Sequence, residues 1–199
     1  MREVQSGSST SDRDADVVET IEQEGLSVFT FDGIRRLTGS HPETLSRALA
    51  RLEEEGLIVR SPEGYSTTGK AKDLVALRPA FSSARRMPVL RTYLPPGVKA
   101  SSLVSALKGR WFDRLRWVGM AEGEDGVVLK WVTEDGKAVI DARLTRDELE
   151  VEARVDEDDF GGAVRAAYQL VARISKIYAS PRSGGRLMLM RVGYFPAAM

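Results

Sequence analysis

Two Glu-Asp-Gly tripeptides, at 124–126 and 134–136, do most to restrict the folds open to this chain. Each stands between runs rich in β-branched and aromatic residues, and a glycine closing a short acidic turn is a strong local signal for a β-hairpin. The runs are 115–121, 127–133 and 138–144, with a fourth at 148–155. In the fourth, Val151, Ala153 and Val155 alternate with Glu150, Glu152 and Arg154, a period of two that predicts a sheet with one face in water. A strand at 89–93, a Pro95-Pro96-Gly97 turn and a helix at 100–108 precede these runs. A long helix over about 158–178 follows, with Val164, Ala167, Leu170, Val171, Ile174 and Tyr178 on one stripe. The order β-α-β-β-β-β-α predicts an antiparallel sheet with helices packed on one face.

The first 78 residues have a helical rhythm. Residues 1–14 are polar, lack apolar periodicity and are expected to form a disordered tail. A helix is predicted over 15–24, with Val17, Val18 and Ile21 on one side and Gly25 as its stop. Val28 to Phe31 is a short β-prone run, after which Asp32 is expected to cap a helix through Ile34 and Leu37 ended by Gly39. Ser40 and Glu43 have capping-box spacing, with Pro42 in the first turn. The helix they open, about 42–55, repeats Leu45, Leu49 and Leu52 at spacings of four and three and stops at Gly56. A strand at 57–60, a Ser-Pro-Glu-Gly turn at 61–64, a strand at 65–67 and a helix at 68–77 complete this part. Residues 79–88 are bracketed by prolines and read as a linker or short connecting helix. The chain thus divides into a domain at 15–78, a second at 89–179 and a tail at 180–199.

Composition removes several function classes. The 199 residues include no cysteine and one histidine, His41, which excludes disulfides, cysteine-ligated zinc and thiol nucleophiles; no cofactor or metal is expected. No run approaches the roughly 18 apolar residues of a membrane span, and the polar start lacks a secretory core, so a cytoplasmic protein without a membrane partner is expected. The net charge is zero but unevenly spread: residues 79–118 hold eight basic and one acidic side chain, 119–160 five and fourteen, and 161–199 six and none. Arg85, Arg86, Arg91, Arg110, Arg114 and Arg116 either extend a phosphate footprint or pair with the acidic block, and pairing is the expectation. Glu148, Glu150 and Glu152 share a strand face, which suits a solvated surface better than an acid–base pair. Gly161-Gly162 opens a helix, but the acidic residues at 156–159 would repel an anion there. No catalysis is expected.

The stretch Ser40-His41-Pro42-Glu43-Thr44-Leu45-Ser46-Arg47-Ala48-Leu49 is followed by Leu52-Glu53-Glu54-Glu55-Gly56-Leu57-Ile58 and then by Gly64-Tyr65-Ser66-Thr67-Thr68-Gly69-Lys70. This ordered set resembles the winged helix-turn-helix transcriptional regulators, broadly the MarR-like group of bacteria and archaea. The likeness covers residues 15–77, about a third of the chain. It implies an α+β protein with an N-terminal winged helix-turn-helix domain that binds double-stranded DNA as a homodimer. The second domain would then serve dimerisation, sensing of a small molecule or contact with a protein effector. On this reading the helix from 42 enters the major groove with Glu43, Thr44, Ser46, Arg47 and Arg51 outward. Arg47 would contact a base or phosphate, Thr44 and Ser46 either one, and Ser40 and His41 would stand at the helix start beside phosphate. Arg60 and the wing through Tyr65 would approach the minor groove, and Arg35 and Arg36 the backbone. Winged helices also serve as protein-interaction modules, a reading favoured by Glu63 in the wing and the glutamates at 53–55. Arg47 could then be a plain solvated arginine. Trp111, Phe112, Trp117 and Trp131 either line a ligand cavity or pack a core, and the long last helix covers its own sheet or a second copy. Packing and self-coverage are the expectations.

Overall fold

The computed structural model describes residues 12–71, 85–155 and 160–179. Residues 1–11, the tail from 180, most of the helix expected at 68–77 and residues 79–84 of the expected linker lie outside them, while residues 12–14 of the expected disordered tail are helical. The helices are α1 (Asp12–Gln23), α2 (Phe31–Thr38), α3 (Pro42–Glu54), α4 (Ala100–Leu107) and α5 (Phe160–Ala179); residues 69–71 are also helical. The strands are β1 (Val28–Phe29), β2 (Ile58–Ser61), β3 (Gly64–Thr67), β4 (Arg85–Tyr93), β5 (Leu115–Gly123), β6 (Gly126–Thr133), β7 (Ala138–Leu144) and β8 (Glu148–Val155). The protein is therefore α+β. Its eight described strands form one antiparallel sheet in the order β2-β3-β1-β5-β6-β7-β8-β4.

Both acidic tripeptides make the hairpins expected of them. Gly123 pairs with Gly126 around a two-residue turn, and Gly126 sits at φ 140°, where a side chain would also meet the Leu144 carbonyl at 2.2 Å. In the second turn Asp135 accepts from the Thr133 hydroxyl at 2.6 Å and from the Lys137 amide at 3.3 Å. The Thr133 hydrogen bond leads the causes that hold its carboxyl below the usual range, against a smaller opposing effect of burial. β4 begins at Arg85, not Val89, so residues 85–88 of the expected linker are strand. Proline is tolerated there because β4 is the edge of the sheet and its register shifts between Pro88 and Leu90.

Helices cover both faces of the sheet, which corrects the expectation of one. The strand alternation divides the buried side chains into two cores. One lies under α4 and α5 and contains Trp117, Leu129, Trp131, Ile140, Leu149 and Val151. The other joins Ile21, Phe29, Ile34, Leu45 and Leu49 of the N-terminal elements to Val118 and Val132 of the sheet. The rest of the second face, toward β4 and β8, carries partly exposed pairs: Arg86–Glu152 at 3.9 Å, Arg91–Glu148 at 3.1 Å and Arg143–Glu150 at 3.9 Å.

β1 joins the small hairpin β2–β3 to the larger part of the sheet through only two residues on each side. β5 carries an extra residue, Val118, between Trp117 and Gly119, and the carbonyls released by this bulge are taken by Thr30. The Thr30 amide donates to the Val118 oxygen at 2.9 Å and its hydroxyl to the Trp117 oxygen at 3.2 Å. Glycine permits the close approach. A Cβ on Gly119 would lie 2.2 Å from the Val28 oxygen, and one on Gly33 2.6 Å from the Val118 Cα.

An ionic cluster lies at the C-terminal end of α1. Glu24, just past the helix, receives Lys130 Nζ at 3.1 Å and Arg154 Nη1 at 2.8 Å, with a second, shorter contact from Arg154 Nη2. Asp141 Oδ2 lies 3.2 Å from both Lys130 Nζ and Arg154 Nε. The Nε contact is ionic, since its alignment does not make a hydrogen bond. Lys130, Asp141 and Arg154 are each at most 6% exposed. Burial alone would push the Glu24 carboxyl up, but hydrogen bonds and charge from Arg154 and Lys130 outweigh it and hold it below the usual range. Burial likewise works against the Arg154 charge, and Glu24 and Asp141 more than offset it.

Candidate nucleic-acid interface

The start of α3 is set by Pro42. A residue before proline is driven to extended backbone, and His41, at φ −62° and ψ 139°, is the N-cap, its Nδ1 accepting the Glu43 amide at 3.4 Å. The expected Ser40–Glu43 capping box is not formed. Ser40 lies outside the helix, half-buried, and its amide donates to the Thr38 hydroxyl at 3.2 Å. The cap of α2 is likewise Thr30, whose hydroxyl accepts the Gly33 amide at 3.1 Å, and not Asp32. Asp32 in the first turn instead receives Arg35 at 2.7 Å and Arg36 at 2.8 Å. Burial would raise its carboxyl, and these two arginines lower it overall.

Leu45, Ala48, Leu49 and Leu52 of α3 are buried. Opposite them stand Thr44, Arg47 and Arg51, at spacings of three and four, so they share one outward stripe. Arg47 and Arg51 are exposed and Thr44 is half-buried; His41, Glu43 and Ser46 are exposed beside them. Arg47 pairs with Glu43 at 2.5 Å, with side chains 70% and 66% exposed. A helix-surface pair in that much water contributes only about 0.3–0.5 kcal/mol, so a phosphate or guanine edge competes with it readily.

The other expected residues are placed differently. Arg35 and Arg36 are held on Asp32, and Arg36 also donates to the Glu134 carbonyl at 2.8 Å, which turns it toward the β6–β7 turn. Arg60 pairs with Glu53 at 3.2 Å and lies 5.8 Å from the centre of the Tyr65 ring. Tyr65 in turn stacks on buried Phe29, with centroids 5.7 Å apart, so it is a wall of the small core. The β2–β3 turn is only Pro62-Glu63, and Glu63 pairs with Lys108 at 2.5 Å, tying the hairpin tip to the end of α4. The structure thus brings His41, Glu43, Thr44, Ser46, Arg47 and Arg51 onto one surface and leaves Arg35, Arg36, Ser40 and Tyr65 engaged elsewhere. Sequence reasoning missed the partners Asp32 and Glu43. The signal was present, because both stand three or four residues before the arginines they hold.

The aromatic residues pack on one another. Trp131 meets Phe112 at 5.7 Å and Trp117 edge-on at 5.2 Å, and its indole N–H donates to the Arg110 carbonyl at 2.8 Å, so these rings fill the core under α4 and α5. Trp111 stands apart, mostly in water. Among the described residues no three His, Asp or Glu side chains come together as metal ligands, and no helix is long and apolar enough to cross a membrane. Comparison with known proteins adds no relative: no family model, no curated protein and no solved structure matches the chain.

Proposed function

We propose that the chain is a sequence-specific, non-catalytic regulator of transcription that binds double-stranded DNA as a homodimer and lays α3 in the major groove. The observation that carries this reading is the outward Thr44–Arg47–Arg51 stripe, on a helix whose opposite side is buried. Two cations and a hydroxyl at one-turn spacing match the donors that phosphates and guanine edges accept. The element order α1, β1, α2, α3 and the β2–β3 hairpin, with β1 as third strand beside β3, supports a winged helix-turn-helix. α4, α5 and the strands beyond β1 would then form the part that dimerises or senses an effector.

A second reading has its own support. The hairpin tip is acidic and tied down by Lys108, and Glu54 and Glu55 are exposed at the end of α3. A winged helix used only to bind another protein would tolerate both. One experiment separates the readings: binding of the purified protein to duplex fragments of its own upstream region at two salt concentrations, with Arg47→Ala alongside. DNA recognition requires affinity that falls with salt as counterions are released, and a folded Arg47→Ala protein that binds about tenfold or more weakly. No duplex binding at low salt, or an Arg47→Ala variant that binds as well as the parent, defeats the DNA reading in favour of the protein-interaction one.

A further inference from the structure

The outward side of α5 offers a surface that the DNA reading does not use. Ala163, Ala167, Leu170 and Ile174 bury one side of this helix on the sheet, leaving Arg165, Tyr168, Arg173 and Lys176 exposed on the other. Their spacings of three, five and three keep them on one side, and residues 160–179 contain no acid. Beside the helix runs a tight turn closed by Phe112 N to Leu115 O at 3.0 Å and Leu115 N to Phe112 O at 2.8 Å. Asp113 in this turn is left-handed at φ 52°, a conformation an aspartate can hold. Gln169 Nε2 donates to Asp113 Oδ2 at 2.7 Å, and the Arg173 guanidinium lies 6.0 Å from the Phe112 ring centre, so turn and helix form one surface.

Trp111 at the start of that turn is 59% exposed, and Tyr168 58%. The tryptophan is fixed in place. The Arg116 guanidinium lies 5.0 Å from its ring centre and is itself held by the Asp113 carbonyl at 2.6 Å and Glu134 at 3.0 Å. A large ring held this way forgoes the hydrophobic gain of burial. Arg114 and Arg165 line one cleft of about 170 Å³ with Lys137 and Asp135, and that carboxylate is engaged by Thr133.

We propose that this face binds single-stranded nucleic acid, with Trp111 stacking a base and Arg114, Arg165, Arg173 and Lys176 following the phosphates. An exposed ring set among cations is what an unpaired base needs, whereas a duplex keeps its base faces stacked inside. A second copy of this chain paired two-fold on this side of α5 would set its cations against themselves, so dimerisation would use another surface of this part of the molecule. The surface runs along α5 from Arg165 to Lys176 and takes in the turn. α3 packs against the other face of the sheet, so this proposal stands apart from the duplex reading.

The test is fluorescence anisotropy of the full chain with labelled single-stranded DNA and RNA of about 20 nucleotides, longer than a typical single-module site, and with a duplex as a separate arm. Trp111→Ala should weaken single-strand binding about tenfold. Arg173→Glu with Lys176→Glu should flatten its salt dependence, by about 0.7 in logarithmic slope for each phosphate no longer neutralised. Arg47→Ala should leave it unchanged. Because Trp117 and Trp131 are buried, oligonucleotide quenching of tryptophan emission should disappear in Trp111→Phe, a variant that keeps a ring at that position. Absence of single-strand binding at low salt overturns the proposal. So does binding indifferent to Trp111→Ala and displaced equally by polyglutamate, which would mark a surface for an acidic protein. Loss of duplex binding alone bears on α3 and not on this face.

Discussion

Beneath α4 and α5, strands β5 to β7 present Trp117, Leu129, Trp131 and Ile140; on the other face, toward the N-terminal elements, β6 and β7 present Val132 and Val139 together with Lys130 and Asp141. The first face is an apolar core whose tight packing supplies free energy through area removed from water. The second adds three buried charges and the largely buried Glu24 to a smaller core. Burying an ion pair costs nearly as much solvation as the attraction returns, so the cluster does not by itself strengthen the fold. What it does is make one placement of α1 far better than any other, because Glu24 shifted by a turn would leave Lys130 and Arg154 sharing only Asp141. One side of the sheet is held by quantity of contact and the other by identity of contact.

That contrast can be broken at either face. The largest effect is expected at Trp131, fully buried and donating to Arg110: Trp131→Ala should cost about 3–5 kcal/mol in thermal or urea unfolding. A loss below about 1 kcal/mol would mean that the apolar face is not packed as described. Next comes Glu24→Gln, which leaves two buried cations facing one carboxylate and should cost about 3 kcal/mol. Replacing Glu24, Lys130, Asp141 and Arg154 together by apolar residues should restore most of this, and failure to do so would show that the cluster carries net stability.

Acid should act on the ionic face first. Because the folded Glu24 pKa lies below its unfolded value, the unfolded chain binds the extra proton, so the contribution is complete above the ordinary glutamate pKa of about 4.3 and fades as pH falls through the lower folded value. Stability measured against pH should therefore drop less steeply below about pH 4 in Glu24→Gln than in the parent, and parallel curves would contradict this. The smallest effect belongs to the surface of α3. If α3 meets DNA, Glu43→Gln releases Arg47 from an exposed pair worth about 0.3–0.5 kcal/mol and should tighten duplex binding about twofold in a titration.

The sequence disclosed local structure better than long-range partnership. Hairpins at Glu124-Asp125-Gly126 and Glu134-Asp135-Gly136 were legible because turn chemistry lies in adjacent residues, and α3 because Leu45, Leu49 and Leu52 repeat at helical spacing. The caps at Thr30 and His41 were misassigned where two polar residues competed within three positions and proline settled one of them. Coverage of the second face was not legible from β8, whose glutamates lie toward the open end of the sheet. The clue stood elsewhere: Lys130 and Asp141 interrupt apolar strands and face each other across β6–β7, and two opposite charges in such runs indicate a covered face. Their partner Glu24 lies 106 residues from Lys130, beyond any periodicity. Of the site, the outward stripe of α3 was readable from helix geometry. The engagement of Arg36 by Glu134 was not, since it depends on how α2 seats against the sheet.

The two-residue strand β1 has a consequence for portability. Val28 and Phe29 are bonded on one side to the hairpin and on the other to β5, with Gly119 pressed against them. Cutting out residues 12–71 for transplantation would strip one flank of β1, uncover Phe29 and Ile34 where Val118 had lain, and leave Glu24 without its cations. Such a fragment would carry a bare strand edge beside an apolar patch, the combination through which chains pair with one another and aggregate. α3 therefore travels with the sheet, and a chimera that borrows its surface must borrow β5 to β8 as well.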